Sequence, residues 1–144
     1  MLLAANPRLQ LVTVATPFDT EHIRVMLLDR DDAGLRARVD DVAICANLTY
    51  GDIIRVREDS DALQYVETLE RSDYNAWVAL AARNDTRIGP RLAALDCVAE
   101  RILRTSHGAI VSAAPPRTRQ SLECLLAQLV EEGTLRELVH TIAR

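Results

Sequence analysis

The stretch that decides the fold is LRARVDDVAICANLTYGDIIRVREDSDALQYVETLE, residues 35–70. Apolar and charged residues alternate over 35–41, which is the pattern of a β-strand that buries one face. The runs IIRVRE (53–58) and LQYVETLE (63–70) are also rich in β-forming residues. The stretch therefore predicts three strands that follow one another closely.

Short turns separate these strands. Tyr50-Gly51-Asp52 combines a glycine, which tolerates positive φ, with an aspartate that can accept hydrogen bonds from nearby backbone amides. An acidic turn at 58–62 precedes the last of the three strands. We expect residues 42–48 to continue the first strand or to form a bulged partner.

Further β-rich runs lie on both sides of this stretch. Residues 9–15 and 23–28 precede it, followed by the strong turn signal DRDDAG at 29–34, and NAWVALAA (75–82) comes after it. Six short strands at this spacing predict a small bent antiparallel sheet or partial barrel. We place this β-rich lobe at residues 1–72.

In the second half of the chain, the apolar residues recur at helical rather than strand spacing. From Pro90, apolar residues at helical spacing predict a helix that reaches Leu103 and ends at His107–Gly108. A strand at 109–114, a break at 115–119 and a helix at 121–132 follow.

The last segment, 134–142, fits two interpretations. Its apolar spacing favours a helix. A strand would instead complete a β-α-β-α-β order and close a sheet edge, and we favour it for that reason. The resulting prediction is an α+β protein in which residues 73–144 form a split βαβ, ferredoxin-like lobe, packed with the first lobe as one compact unit.

Composition narrows the possible functions. All 17 basic residues are arginines, which excludes a lysine Schiff base and a P-loop lysine. The net charge is −4, and residues 1–72 carry 13 acidic residues against 8 arginines. This balance argues against nucleic acid and favours a basic partner.

We predict no catalytic, cofactor-binding or metal-binding residues and no enzymatic activity. The sequence contains no nucleophile–base pair, phosphate-binding loop or cofactor motif. Cys45, Cys97 and Cys124 are far apart and have no metal-ligand spacing. With no membrane-length apolar run and no signal peptide, we expect a reduced, cytoplasmic protein without a bound cofactor.

Two surfaces are candidates for binding. Acidic residues and tyrosines near the 58–62 turn are the candidate for a basic protein partner: Asp59, Asp61, Tyr65, Glu67, Glu70, Asp73 and Tyr74. Four arginines on the polar faces of two strands are the alternative, for an anion: Arg36, Arg38, Arg55 and Arg57. These arginines could instead form cross-strand ion pairs with Asp40, Asp41, Glu58 and Glu67.

One family resemblance emerges from the middle of the chain. The matching residues are Asn47, Tyr50, Gly51, Asp52, Ile53, Ile54, Leu63, Tyr65, Val66, Arg71 and Ser72. With the order of elements that follows, they make residues 35–142 similar to the bacterial family called domain of unknown function four-two-six-five. The resemblance implies an architecture and a bacterial cytoplasmic setting, and it supplies no catalytic residues.

These observations favour a non-catalytic protein-binding module, of the kind exemplified by immunity proteins that neutralise a basic bacterial toxin. The alternative is a regulatory protein that binds an anion or nucleic acid through the strand arginines.

Overall fold

The computed structural model describes residues 8–82, 93–104 and 108–144. The chain folds into two compact units, Met1–Ser72 and Asp73–Arg144. The class is α+β, as the sequence predicts, with antiparallel sheets predominating.

The first unit is a five-stranded sheet that closes into a barrel. Its strands are β1 (Leu9–Ala15), β2 (Thr20–Asp31), β3 (Gly34–Val39), β4 (Ile53–Asp59) and β5 (Ala62–Glu70). Consecutive strands pair antiparallel, and a short parallel pairing of β1 with β5, Val12 opposite Leu63, closes the barrel. The predicted bent sheet is confirmed, with five strands rather than six, because the sixth predicted strand, 75–82, belongs to the other sheet.

Alternation places the β-branched and small apolar side chains inside this barrel. The buried core consists of Val12, Val14, Ile23, Val25, Ala37, Val39, Ala43, Leu48, Ile54 and Val56. The charged residues that alternate with them face outward and form the surface considered below.

The predicted turn at 29–34 is much shorter in the structure. Asp29 and Asp31 belong to β2, and only residues 32–33 lie between Asp31 and its strand partner Gly34. The Asp31 carboxylate accepts hydrogen bonds from the amides of Ala33 (2.9 Å) and Gly34 (3.1 Å), which tightens the hairpin.

Residues 42–48 do not form the predicted strand. They fold into a turn with a single bridge between Ala43 and Leu48, both buried. The Glu21 carboxylate accepts hydrogen bonds from the amides of Ile44 (3.2 Å) and Cys45 (2.9 Å). A side chain from β2 therefore satisfies the backbone groups that a neighbouring strand would otherwise pair.

The second unit is a four-stranded antiparallel sheet with a helix. Its elements are β6 (Asn75–Ala81), β7 (Arg101–Arg104), β8 (Ala109–Ala114), α1 (Pro116–Glu131) and β9 (Leu135–Ile142), and the strand order is β7-β8-β6-β9. Leu122, Leu126 and Leu129 of α1 are buried in a core that includes Trp77 of β6.

Two helix boundaries differ from the sequence prediction. Residues 93–96 are helical, but Ile102 and Leu103 lie in β7 and pair with β8. Ladder pairing with β8 thus overrides the helical spacing, and the predicted helix start at Pro90 lies outside the described residues. Helix α1 begins at Pro116 rather than at 121, because proline fits the first helical turn.

The terminal segment is a strand, as favoured above, and Ile142 of β9 lies opposite Ala76 of β6. Gly133, with φ 81°, ends the preceding helix in the left-handed conformation that favours glycine. The ferredoxin-like interpretation of this unit stays a prediction, because the start of its first predicted helix lies outside the described residues.

Candidate functional site

A row of four charged residues crosses the outside of the barrel. Strand register places Asp29 opposite Arg36, Arg36 opposite Arg55, and Arg55 opposite Glu67. Two arginines that face each other directly repel. Carboxylates that neutralise both guanidinium groups would relieve this repulsion.

The neutralising carboxylates come from β2. Arg36 donates to Asp29 through Nε and Nη2, both at 2.7 Å, and Arg55 donates to Asp31 through Nη1 (2.6 Å) and Nη2 (3.0 Å). Arg55 Nη1 also donates to the carbonyl of Gly34 at 3.0 Å. These are bidentate pairs, the strongest arginine–carboxylate geometry.

Both carboxyl groups respond to these contacts. The hydrogen bond from Arg36 lowers the pKa of Asp29, and the hydrogen bond from Arg55 lowers the pKa of Asp31. Two of the four arginines predicted to bind an anion are thus already occupied by carboxylates of the chain.

The ion-pair partners differ from those expected from sequence. Asp41 lies 3.7 Å from Arg24, and Glu58 pairs with Arg30 at 2.7 Å. Asp29 and Asp31 take the places expected for these two residues. The β2–β3 register sets Asp29 opposite Arg36, and Asp31, opposite Gly34, accepts hydrogen bonds from Arg55 of β4.

Arg38 and Arg57 differ from the other two arginines. Both side chains are exposed, and within residues 8–82, 93–104 and 108–144 neither forms an ion pair. Arg38 lies on β3 opposite Ile53, and Arg57 lies on β4 opposite Gln64.

The acidic candidates of the first unit lie on the β4–β5 hairpin and along β5. Asp59 and Asp61 flank Ser60, whose φ of 55° marks the turn, and both are exposed. Glu67 and Glu70 are exposed further along β5. None of these four carboxylates forms an ion pair with the part of the chain that the structure describes.

Tyr65 lies on the opposite side of β5 from these carboxylates. Its ring packs against the barrel core, and its hydroxyl is 2.8 Å from Thr68 Oγ1. A bulge in β5 places Val66 between the partners of Arg55 and Val56, and Val66 is 48% exposed. Sequence alternation did not identify Val66, since a bulge leaves no local signal in this stretch.

The remaining two candidates, Asp73 and Tyr74, belong to the second unit. Asp73 is exposed. The Tyr74 hydroxyl donates to Glu100, and the same carboxylate accepts a hydrogen bond from Arg117. Tyr74 is therefore held in a polar cluster that the sequence did not suggest.

Phe18 is a further exposed aromatic residue, at the β1–β2 turn, and its side chain is 96% exposed. The turn is ordered by the amide of Thr16, which donates to the carbonyl of Asp19 at 2.8 Å, and by the amide of Asp19, which donates to Thr16 Oγ1 at 3.1 Å. The sequence offered one indication that this side chain is exposed, namely a phenylalanine in the middle of a turn, where polar residues are usual.

The Tyr50-Gly51-Asp52 turn is built into the barrel. The fully buried Asp52 carboxylate accepts hydrogen bonds from the amides of Thr49 (3.0 Å) and Ser72 (2.7 Å). The Ser72 hydroxyl donates to the carbonyl of Tyr50 at 2.6 Å. The two sequence features that carry the family resemblance, the turn and the Arg-Ser pair, are therefore joined by direct hydrogen bonds.

Cys45 lacks the properties of a nucleophile. Burial, together with the nearby Glu21 carboxylate, raises the pKa of its thiol to about 12. Because the thiolate is the reactive form, this side chain is unreactive at neutral pH. Among the residues described, no three His, Cys, Asp or Glu side chains converge as metal ligands.

No family model matches the chain, and no curated protein matches it. It is similar in structure to a hypothetical protein from Neisseria gonorrhoeae, with 15% sequence identity and a TM-score of 0.60, over 88% of this chain and 90% of that one. At this identity the similarity shows the fold alone. The described chain also contains no helix of sufficient length and hydrophobicity to span a membrane.

Proposed function

We propose that this chain is a non-catalytic protein-binding module, of the immunity type, that neutralises a basic bacterial toxin in the cytoplasm. The observation that carries the proposal is the set of exposed carboxylates on the β4–β5 hairpin and strand β5 that form no ion pair within the described residues. We call this set, Asp59, Asp61, Glu67 and Glu70, the acidic face.

The distribution of ion pairs supports this choice of surface. On the neighbouring strands, Asp29 and Asp31 are engaged by arginines at 2.6–3.0 Å. The carboxylates of the acidic face have no such partner in the described chain, so a basic protein can contact them without first breaking an internal ion pair. A surface field of one sign raises the association rate with a partner of opposite charge.

Slow dissociation requires apolar contacts in addition. Tyr65 packs inward, so the acidic face offers Val66 as its exposed apolar side chain. The contribution of Asp73 and Tyr74 to partner binding also stays a prediction.

The alternative function, binding of an anion or nucleic acid by the strand arginines, rests on a smaller set of residues. Arg36 and Arg55 are held by carboxylates, and Arg38 and Arg57 keep exposed charges. We therefore rank it second.

We also interpret the second unit as a ferredoxin-like, split βαβ lobe. The sheet order β7-β8-β6-β9 and its antiparallel pairings support this interpretation.

The experiment that tests the function uses the protein encoded by the neighbouring reading frame as the probe. We would co-purify the two proteins and measure their association rate by stopped flow over a range of salt concentrations. The test variant reverses Asp59, Asp61 and Glu67 to arginine. We expect its association rate at low salt to fall by about tenfold or more, with a weaker salt dependence.

A matched control reverses Asp96, Glu131 and Glu137, three exposed carboxylates of the second unit, so that the net charge changes equally. The control should keep most of the wild-type rate. If the association rate fell equally in both variants, net charge rather than the acidic face would drive association. Failure of the neighbouring protein to bind would contradict the immunity-type function.

A further inference from the structure

A small cleft lies on the first unit, where the β2–β3 hairpin meets β4. Its volume is ≈ 370 Å³, near the lower end of the range for small-molecule sites. Its lining includes Arg30, Leu35, Arg55, Arg57, Glu58 and Val66.

Three guanidinium groups line the cleft, and two of them are neutralised. Arg30 pairs with Glu58 at 2.7 Å, and Arg55 pairs with Asp31 at 2.6 Å. Arg57 is exposed and forms no ion pair with the described residues. The cleft therefore carries one uncompensated positive charge.

Arg55 adds rigidity to one wall. Its side chain is only 12% exposed, and its guanidinium is bonded to both the Asp31 carboxylate and the Gly34 carbonyl. The wall is therefore organised before any ligand arrives, which reduces the entropy lost on binding. Leu35 and Val66 supply apolar surface beside the charge.

We propose that this cleft binds an organic monocarboxylate with a short apolar body. The carboxylate would pair with Arg57, and the apolar body would cover Leu35 and Val66. A phosphate dianion fits less well, because only one guanidinium is free of a carboxylate. A free carboxylic acid and the C-terminus of a peptide present the same chemistry.

The inference does not rest on the protein-binding proposal. Val66 borders both surfaces, but the ligand and the substituted residues of the two tests are different. The test is a titration of the ¹⁵N-labelled full chain with 4-methylpentanoate, followed by two-dimensional NMR. A single charged pair with little apolar burial gives a dissociation constant of about 1 mM. We expect the amide signals of Gly34, Arg57 and Val66 to shift together at such concentrations.

The variant Arg57→Gln removes the free charge and should weaken binding by about tenfold or more. Arg38→Gln is the matched control, since Arg38 is also exposed and forms no ion pair with the described residues, but does not line the cleft. It should bind 4-methylpentanoate as the wild type does. Equal weakening in both variants would overturn the site, because it would indicate diffuse attraction to positive charge.

Titrations with other compounds define the chemical class of the ligand. 4-Methylpentanamide, the neutral analogue, and inorganic phosphate should both bind at least about tenfold more weakly than the acid. Equal binding of either would overturn the monocarboxylate assignment, as would the absence of any shift up to about 10 mM acid. A short peptide ending in leucine, compared with its amidated form, shows whether the carboxylate comes from a peptide or from a free acid. If the peptide binds more tightly than 4-methylpentanoate, the ligand is a peptide C-terminus. If it binds more weakly, the ligand is a free acid.

Discussion

Two loops at opposite ends of the barrel use acidic side chains in opposite ways. Loop 40–52 joins β3 to β4 at one end, and hairpin 58–62 joins β4 to β5 at the other. At the first end, the carboxylates of Glu21, Asp41 and Asp52 accept hydrogen bonds from backbone amides. At the second, Asp59 and Asp61 are exposed and make no ion pair within the described chain.

The barrel therefore contains two kinds of carboxylate, those that stabilise the fold and those that are available to a partner. A carboxylate that satisfies otherwise unpaired amides stabilises the fold and is unavailable to a partner. An exposed carboxylate that accepts no hydrogen bond from the chain contributes little to stability and is free to bind. The net charge of the first half conceals this division, which appears only when each carboxylate is traced to its hydrogen-bond donors.

The largest expected effect is at Asp52. Replacing it with alanine leaves the amides of Thr49 and Ser72 without their acceptor in a fully buried site. We expect the free energy of unfolding of the barrel to fall by about 2–4 kcal/mol. Because the sole tryptophan, Trp77, lies in the second unit, barrel unfolding in urea should be followed by circular dichroism.

Asp59→Ala is the matched control for that measurement, because it removes an exposed carboxylate that accepts no hydrogen bond within the described chain. If both variants lost the same stability, the contrast between the two ends of the barrel would be wrong.

An intermediate effect is expected at Asp31, an exposed carboxylate that accepts hydrogen bonds from the Arg55 side chain and from the amides of Ala33 and Gly34. Its pKa is lowered from the ordinary value of 3.8, mainly by Arg55. A lowered pKa in the folded state stabilises the protein above pH 3.8, and this stability is lost as the pH falls through the folded pKa.

Asp31→Asn should therefore be less stable than the wild type at pH 7, and the difference should shrink in acid. Urea midpoints measured between pH 7 and about pH 3 would show this trend. Asp32→Asn, a change at the adjacent exposed position, is the control. A difference that stays constant with pH would mean that the Asp31 charge does not stabilise the hairpin.

The smallest effect is expected for the double substitution of Asp59 and Asp61 by asparagine. Because both side chains are exposed and unpaired in the described chain, the free energy of unfolding should change by no more than about 0.5 kcal/mol. Denaturant unfolding would measure this. A large loss would place these residues with the structural carboxylates and remove the basis of the acidic face.

Much of the fold was predictable because its signals are local. Alternation at 35–41 and 53–58 gave β3 and β4 to within two residues, and the 50–52 turn carries its own glycine and aspartate. The site was less predictable. The exposed positions of Asp59, Asp61, Glu67 and Glu70 followed from their place in the hairpin and on β5, whereas the occupation of Arg36 and Arg55 did not.

The sequence by itself determined the fold class, the β-rich first half and the excess of acidic residues in that half. These features depend on the spacing of apolar residues, on turn-forming residues and on charge, all of which are properties of residues close together in the chain. Only the tertiary structure decided that 42–48 is a turn held by Glu21, that Ile102 joins a strand, and that Asp29 and Asp31 neutralise two arginines. Each of these depends on a partner at least seven residues away. Strand register and β-bulges select such partners, and no local pattern specifies them.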